Sequence, residues 1–340
     1  MSLASAIRDR DVAELPGKRD EDWRWTDLRG LIRALPPPSA PIASAELGTG
    51  PFDAVASENH IIANGQDRVR IEAAAGVVAL RAISRGEGAH AAHVAIIVPA
   101  GGNLTLLESY EGDEHGYVSQ TTVTISLGAG ATLERIVLAS DGAEGVSVSQ
   151  AEVEIAPGAS YAQTVLTSGG RRQRLETRLT HPGGQASVRL DGVYILAGKA
   201  HADLTTVVVH AAPDGSTDQL TKGVVRDQAR SVFQGRIVVA EGADRTDAKM
   251  GHHALILSDR AEVDAKPELE IYADDVSCAH GNTVGALDED ALFYARQRGM
   301  PEDVARAILT EAFVGQVIDR IGHEAAREVA RAWVSERLGG

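Results

Sequence analysis

The chain reads as a right-handed parallel β-helix with helical segments at both termini, and three observations predict this. From about Phe52 onward, short stretches alternate apolar and polar residues, as in His93–Val98, Thr121–Leu127, Thr132–Leu138, Ala186–Leu196 and Leu204–Val209. A period of two marks strands with one buried face. Between them stand turns of similar make-up, among them PAGGN at 99–103, LGAGA at 127–131, APGAS at 156–160, HPGGQ at 181–185 and AEGAD at 240–244. Their glycines supply the positive φ that a tight corner needs. Composition agrees, with 35 glycines and only 4% aromatic residues in 340, as suits a repetitive β structure long enough to bury a core.

Spacing gives the repeat its meaning. Gly101, Gly130, Gly158, Gly183, Gly198 and Gly215 follow one another at steps of 29, 28, 25, 15 and 17. The long step is about twice the short one, as in stacked coils whose corners recur once or twice per turn. A β-sandwich also spaces its strands by about 8–12 residues, but its loops vary in chemistry where these corners repeat theirs. Two strands, IVLAS after Arg135 and TVVVHA after Thr205, carry continuous apolar runs and call for cover on both faces by a lid or a partner. A solenoid has open ends, so the terminal helical pieces are expected to cap them.

In chain order, residues 1–50 form an N-terminal helical segment and linker, 51–285 the β core and 286–340 a C-terminal helical domain. Leu3–Leu15 suits a short amphipathic helix. The stretch GKRDEDWRWTDLRGLIRAL carries Trp23 and Trp25, two of the three tryptophans, which anchor a small lid onto the body. PPPSAP stiffens the linker at 36–51. Of the adjacent His252 and His253, one faces inward and one outward. His115, His181, His201 and His210 show no ligand-like spacing.

Lys266–Gly299, KPELEIYADDVSCAHGNTVGALDEDALFYARQRG, separates the β region from the tail. Ile271 ends an alternating strand, and Val276–Gly285 reads as a glycine-punctuated loop holding the only cysteine, Cys278, two residues before His280. If that loop is extended, thiol and imidazole point the same way. Spacing alone leaves two readings open: a soft half-site for iron or zinc, or a buried thiol beside a satisfied histidine. The acidic Asp274 and Asp275 oppose a Cys278 thiolate, which makes His280 the principal ligand or proton-handling group. Asp288 opens a helix that Gly299 stops, and Pro301 starts another in which Val304, Ile308, Phe313, Val317 and Ile321 fall near one face before Gly322. A last helix lines up Ala326, Val329, Ala330, Trp333 and Val334.

Several function classes drop out. A formal charge of −15 argues against nucleic-acid partners, which are held by clustered Lys and Arg. One cysteine builds no disulfide framework, and MSLASAIRDRDVAEL holds no apolar run for a signal peptide or a membrane span. The expectation is a soluble, cytoplasmic protein of a reducing compartment. P-loop, nucleophile-elbow, H-E-x-x-H and C-x-x-C motifs do not occur, so no enzymatic activity is expected.

The run KPELEIYADDVSCAHGNTVGALDEDALFYARQRG resembles the signature of the SufB/SufD family of iron–sulfur cluster assembly proteins, and is most like its SufD members. EDWRWTDL is similar to their N-terminal segment. SufB proteins usually carry several cysteines, whereas this chain has Cys278 alone, and a cluster typically needs four thiolates. The resemblance implies the β-helix fold and a non-catalytic scaffold that pairs with SufB and binds the SufC ATPase through the C-terminal helices, with Val304, Ile308, Phe313 and Val317 as docking residues. It implies that His280 and Cys278 mark the site at the SufB interface. It also implies no permanent cofactor, with iron or an Fe–S cluster held transiently and shared with SufB, and a homodimer when the chain is alone. A carbohydrate-active β-helix enzyme of secreted type and a metal-free structural solenoid are the alternatives.

Overall fold

The computed structural model describes residues 2–65 and 68–339. Helix α1 (Leu3–Asp9) and a single turn α2 (Leu28–Leu31) precede the β region. The strands are β1 (Glu58–Ala63), β2 (Arg68–Glu72), β3 (Ala75–Ser84), β4 (Ala89–Val98), β5 (Asn103–Gly112), β6 (Val118–Leu127), β7 (Thr132–Ser140), β8 (Val146–Ile155) and β9 (Ser160–Thr167). They continue as β10 (Arg172–His181), β11 (Ser187–Leu196), β12 (His201–His210), β13 (Ser216–Val225), β14 (Arg230–Val239), β15 (Thr246–Ile256), β16 (Glu262–Ile271) and β17 (Val276–Gly285). Helices α3 (Glu289–Gln297), α4 (Glu302–Ile318) and α5 (Glu324–Leu338) close the chain.

Odd-numbered strands stack into one sheet of nine and even-numbered strands into a second of eight, with every pairing parallel. Each coil is therefore one strand of each sheet, and the chain is the parallel β-solenoid that the corners predict. The corner steps follow from this geometry. Gly101, Gly130 and Gly158, all at positive φ, lie on one edge, where the Gly101 N–H donates to Ala129 O at 2.9 Å and the Gly130 N–H to Pro157 O at 3.3 Å. Gly198 lies on the opposite edge, where its carbonyl accepts from Gln228 N–H at 2.9 Å, so the steps of 15 and 17 cross half a coil. Gly215 is a different case: the left-handed residue at its corner is Asp214, φ +63°. A Cβ on Gly215 would lie 2.7 Å from His210 Nδ1 and 2.8 Å from His181, whose rings stack at 4.5 Å.

The inner faces form one long aliphatic core from Ile62 to Met250. It also holds a satisfied ion pair, Arg135 donating to both Glu108 oxygens at 2.6 and 2.7 Å. The run IVLAS is buried on both faces as predicted. Val137 and Ala139 pack into one cluster, while Ile136 and Leu138 meet Val314, Val317, Ile318, Trp333 and Val334 from α4 and α5. In TVVVHA only Val208 and His210 are fully buried; Val207 and Val209 remain half-exposed on the outer face.

Three expectations are corrected. The terminal helices cap neither end. α4 and α5 lie across the outer face of the nine-stranded sheet, and Leu3, Ala6, Leu28 and Leu35 lie on Ala89, Val118, Val146 and Val148 of the other, because an amphipathic stripe gains more by covering an apolar sheet face than a narrow rim. α1 stops at Asp9, since Arg10 is left-handed at φ +56° and its guanidinium reaches the carbonyls of Leu35 and Pro36. Val276–Gly285 is the strand β17, paired to β15 along its length. The linker is also pinned, with Ser39 N–H donating to Ala89 O and Ala89 N–H to Pro37 O at 3.2 and 2.8 Å. Asp288 caps α3 as predicted, accepting from Asp290 and Ala291 N–H. Among the described residues no helix is long and apolar enough to cross a membrane.

Candidate functional site at the open end of the solenoid

Strands β16 and β17 are outermost in their sheets, so each leaves a free edge. Register fixes which side chains face inward there. Cys278, His280, Asn282 and Val284 stand opposite Ala248, Met250, His252 and Ala254 of β15, all at most 3% exposed in the interior. β16 sets Leu269 and Ile271 beside the buried Ile237 and Val239. The inward side chains of the last coil thus line an open mouth with no coil above it. Cys278, Val276 and Leu269 remain half-buried against the core, His280 and Asn282 are exposed, and Ile271, Tyr272 and Val284 are 42%, 64% and 44% exposed.

Cys278 and His280 share this side, as expected of an extended segment. Burial, and secondarily the nearby Asp247 carboxylate, push the Cys278 thiol above its ordinary range. The direction expected from Asp274 and Asp275 is correct, but the causes are desolvation and Asp247. Behind the mouth His252 is fully buried and His253 half-exposed, one in and one out. The His252 ring stacks on Phe233 at 4.4 Å; Nε2 lies 2.9 Å from the Tyr194 hydroxyl and Nδ1 2.7 Å from Asn282 Oδ1. Burial depresses its pKa to about 4, so the imidazole is neutral near pH 7. Among the described residues no three His, Cys, Asp or Glu side chains converge on a common point where a metal could sit. A ligand at the mouth therefore needs donors from elsewhere.

The N-terminal segment reaches the same end. Trp23 lies 4.4 Å over the guanidinium of fully buried Arg174, which pairs with Asp203 and Glu176 at 2.7 and 2.8 Å. Asp22 meets Arg236 at 2.8 Å, and Glu21 meets Lys266 of β16 at 2.8 Å. The Trp25 carbonyl lies 3.2 Å from His201 Nε2. The tryptophan segment is thus strapped to the sheet through ion pairs and the Trp23 ring as predicted, while Trp25 adds its carbonyl and its ring meets the neighbouring Arg24.

The four candidate docking residues separate. Val317 is fully buried, and Phe313 packs on the sheet with the Lys222 ammonium 4.3 Å over its ring, so neither offers an outward face. Val304 and Ile308 are 42% and 48% exposed, and on α3 Phe293 and Tyr294 are 63% and 60% exposed. The buried stripe of α4 is instead Ala305, Thr310, Val314, Val317 and Ile318. The sequence reading missed Phe293 and Tyr294; the adjacent aromatics beside the single buried Leu292 were the signal. It also missed His252 and Asn282, linked by a separation of one coil.

The family model for the SUF system FeS cluster assembly SufBD core domain matches residues 81–313. The iron-sulfur cluster assembly protein SufD of Escherichia coli is 30% identical over 75% of this chain and 61% of its own length. A SufBD family protein of Synechocystis is 28% identical over 66% of this chain and 52% of its own. Another, from Mycobacterium tuberculosis H37Rv, is 28% identical over 97% of this chain and 91% of its own. The chain thus spans about half to three-fifths of the first two relatives. With the solenoid spanning the matched region, this chain belongs to the SufBD family of the SUF iron–sulfur cluster assembly system.

Proposed function

We propose that this protein is a non-catalytic scaffold subunit on which a SUF complex builds nascent iron–sulfur clusters in the cytoplasm. The observation that carries the reading is the open last coil, where two free strand edges border a mouth holding Cys278 and His280. Free edges are templates for strand pairing with another chain, and a SufB-like subunit is the partner proposed for them. In its absence two copies pair through the same edges, since like surfaces meet around a two-fold axis. Iron or a nascent cluster is cargo shared across that junction. Neutral imidazole ligates iron readily, so His280 is the principal ligand or proton-handling group; Cys278, its thiol held protonated by burial, is secondary. The exposed Val304 and Ile308 of α4 and Phe293 and Tyr294 of α3 are the apolar side chains offered to a SufC ATPase.

Co-purification tests this. Tagged protein expressed from its own operon is expected to bring down SufB-like and SufC-like subunits together. Val284→Lys, which sets a charge on the mouth strand, should release the SufB-like subunit and keep the SufC-like one. Recovery of neither partner with the unaltered chain would sink the reading.

A further inference from the structure

The hydrogen-bond polarity behind the mouth has a consequence for what the mouth can hold. Asn282 Oδ1 accepts only, so the 2.7 Å contact to His252 Nδ1 requires a proton on Nδ1. A neutral imidazole carries one N–H, so Nε2 must accept, and the Tyr194 hydroxyl 2.9 Å away must donate. The chain of bonds therefore runs outward, from Tyr194 O–H to His252 Nε2 and from His252 Nδ1–H to Asn282 Oδ1. Phe233, nearly parallel to the imidazole at 8°, fixes the plane of the fully buried ring. With Oδ1 turned inward, the Asn282 amide NH2 faces the mouth, where it meets no acceptor among the described residues.

We infer that Asn282 is the hydrogen-bond donor the mouth presents one strand period from His280, that Tyr194 and His252 are the positioning residues that orient it, and that its ligand is an anionic, acceptor-rich species of the sulfide class. This rests on the assembly reading above. A donor aimed at sulfide is what a half-site with too few protein ligands among the described residues to hold a metal can contribute, because N–H donors stabilise sulfide charge without occupying a metal position. It also accounts for a buried histidine where an aliphatic side chain would fill the interior: a polar ring inside a solenoid is retained at little penalty only when both nitrogens are satisfied.

The test uses the full chain together with its SufB-like partner, ferrous iron and inorganic sulfide as probes, and 15N-labelled histidine. NMR of His252 is expected to show the neutral Nδ1–H tautomer. Asn282→Leu removes the donor, and Asn282→Asp keeps an acceptor for His252 while removing the donor. Asn282→Asp should melt near the unaltered protein and Asn282→Leu, which also strands the His252 N–H, a few degrees lower; both should accumulate about tenfold less iron and sulfide, the size expected for one lost hydrogen bond to a charged group. His252→Gln, whose amide N–H can still reach Asn282 Oδ1, should recover part of the loss that His252→Leu causes. An Nε2–H tautomer, or Asn282 variants that accumulate both probes normally while His280→Ala does not, overturns this inference and leaves the assembly reading standing. Normal accumulation in His280→Ala and Asn282 variants alike overturns both.

Discussion

Four aspartate substitutions on α4 separate a docking surface from internal packing. Ile308 is 48% exposed, so Ile308→Asp gives up about half of a side-chain burial worth roughly 2–3 kcal/mol, and with a few tenths for helix propensity the loss is about 1–2 kcal/mol. Val317 is fully buried between α4 and the sheet, so Val317→Asp must desolvate a carboxylate with no counter-charge and costs several kcal/mol, enough to detach α4 and α5. Phe313→Asp falls between, because the Lys222 ammonium over the ring supplies a partner for the new charge. The assays are thermal unfolding of the isolated chain and binding of the SufC-like ATPase. Ile308→Asp is expected to lower the melting temperature by only a few degrees and to weaken binding about a hundredfold, since an unpaired charge at the centre of an apolar contact costs about 2–3 kcal/mol or more. Val317→Asp should lose both together. Unchanged ATPase binding in Ile308→Asp and Val304→Asp refutes the docking surface; a Val317→Asp protein of unaltered stability refutes the packing argument itself.

Three further outcomes are expected. His280→Ala should leave melting and complex assembly intact but fail to restore growth that depends on SUF cluster supply, with Cys278→Ala milder; full rescue by His280→Ala removes the assignment. Asp203→Ala leaves the buried Arg174 with Glu176 as its one carboxylate and removes acceptors from Thr26 and Gln234, at a cost of about 1–3 kcal/mol, and limited proteolysis should then cut within residues 17–35; resistance equal to the unaltered chain counts against the strap. Burial depresses the folded-state pKa of His90, His201 and His252 to about 4 and of His210 to about 3, so the unfolded chain binds more protons and stability falls as pH drops from about 6.5 toward 4. Asp191, pushed up to about 7 by burial despite Arg320 and Arg189, and Asp141, also raised by burial, work in the opposite sense, but two carboxyls against these four imidazoles and the likewise lowered His181 and His253 leave the histidine sign in control. Urea midpoints that stay level or rise from pH 7 to pH 5 would contradict this.

What was legible in the sequence was local. Asp288, two acidic residues and Gly299 mark out α3 because a cap, a first turn and a left-handed stop are decided within a few residues of themselves. The corners were legible because each repeats the same backbone demand. β17 was not: Gly281 and Gly285 with Ser277, Asn282 and Thr283 carry no apolar alternation, and the segment is a strand only because β15 presents its backbone one coil earlier. Ion pairs such as Arg174 with Asp203 join residues whose separation means nothing until the coil length is known. In α4 an apolar helical stripe records that some face is covered without recording by what. Val317 and Ile308 both belong to such a stripe, and only packing on Ile136, Leu138 and Val193 tells which one is inside.

The location of Cys278 and His280 follows from the solenoid itself. Within a stack, an inward side chain is covered by the coil after it, so polar inward residues must be satisfied and sealed, as Glu108 and Arg135 are. Outward residues stay accessible but lie on a flat wall, where one chain's donors diverge. The last coil offers side chains that point inward and remain open with free strand edges beside them, whereas at the other end, where β1 and β2 are outermost, the inward Ile62 and Ile71 are buried. A second solenoid end set against this one would close the core over both mouths and bring two incomplete donor sets face to face. That geometry turns a chain with a single cysteine into half of a site. Its strap reaches Lys266 on β16 through Glu21, beside one of the two edges.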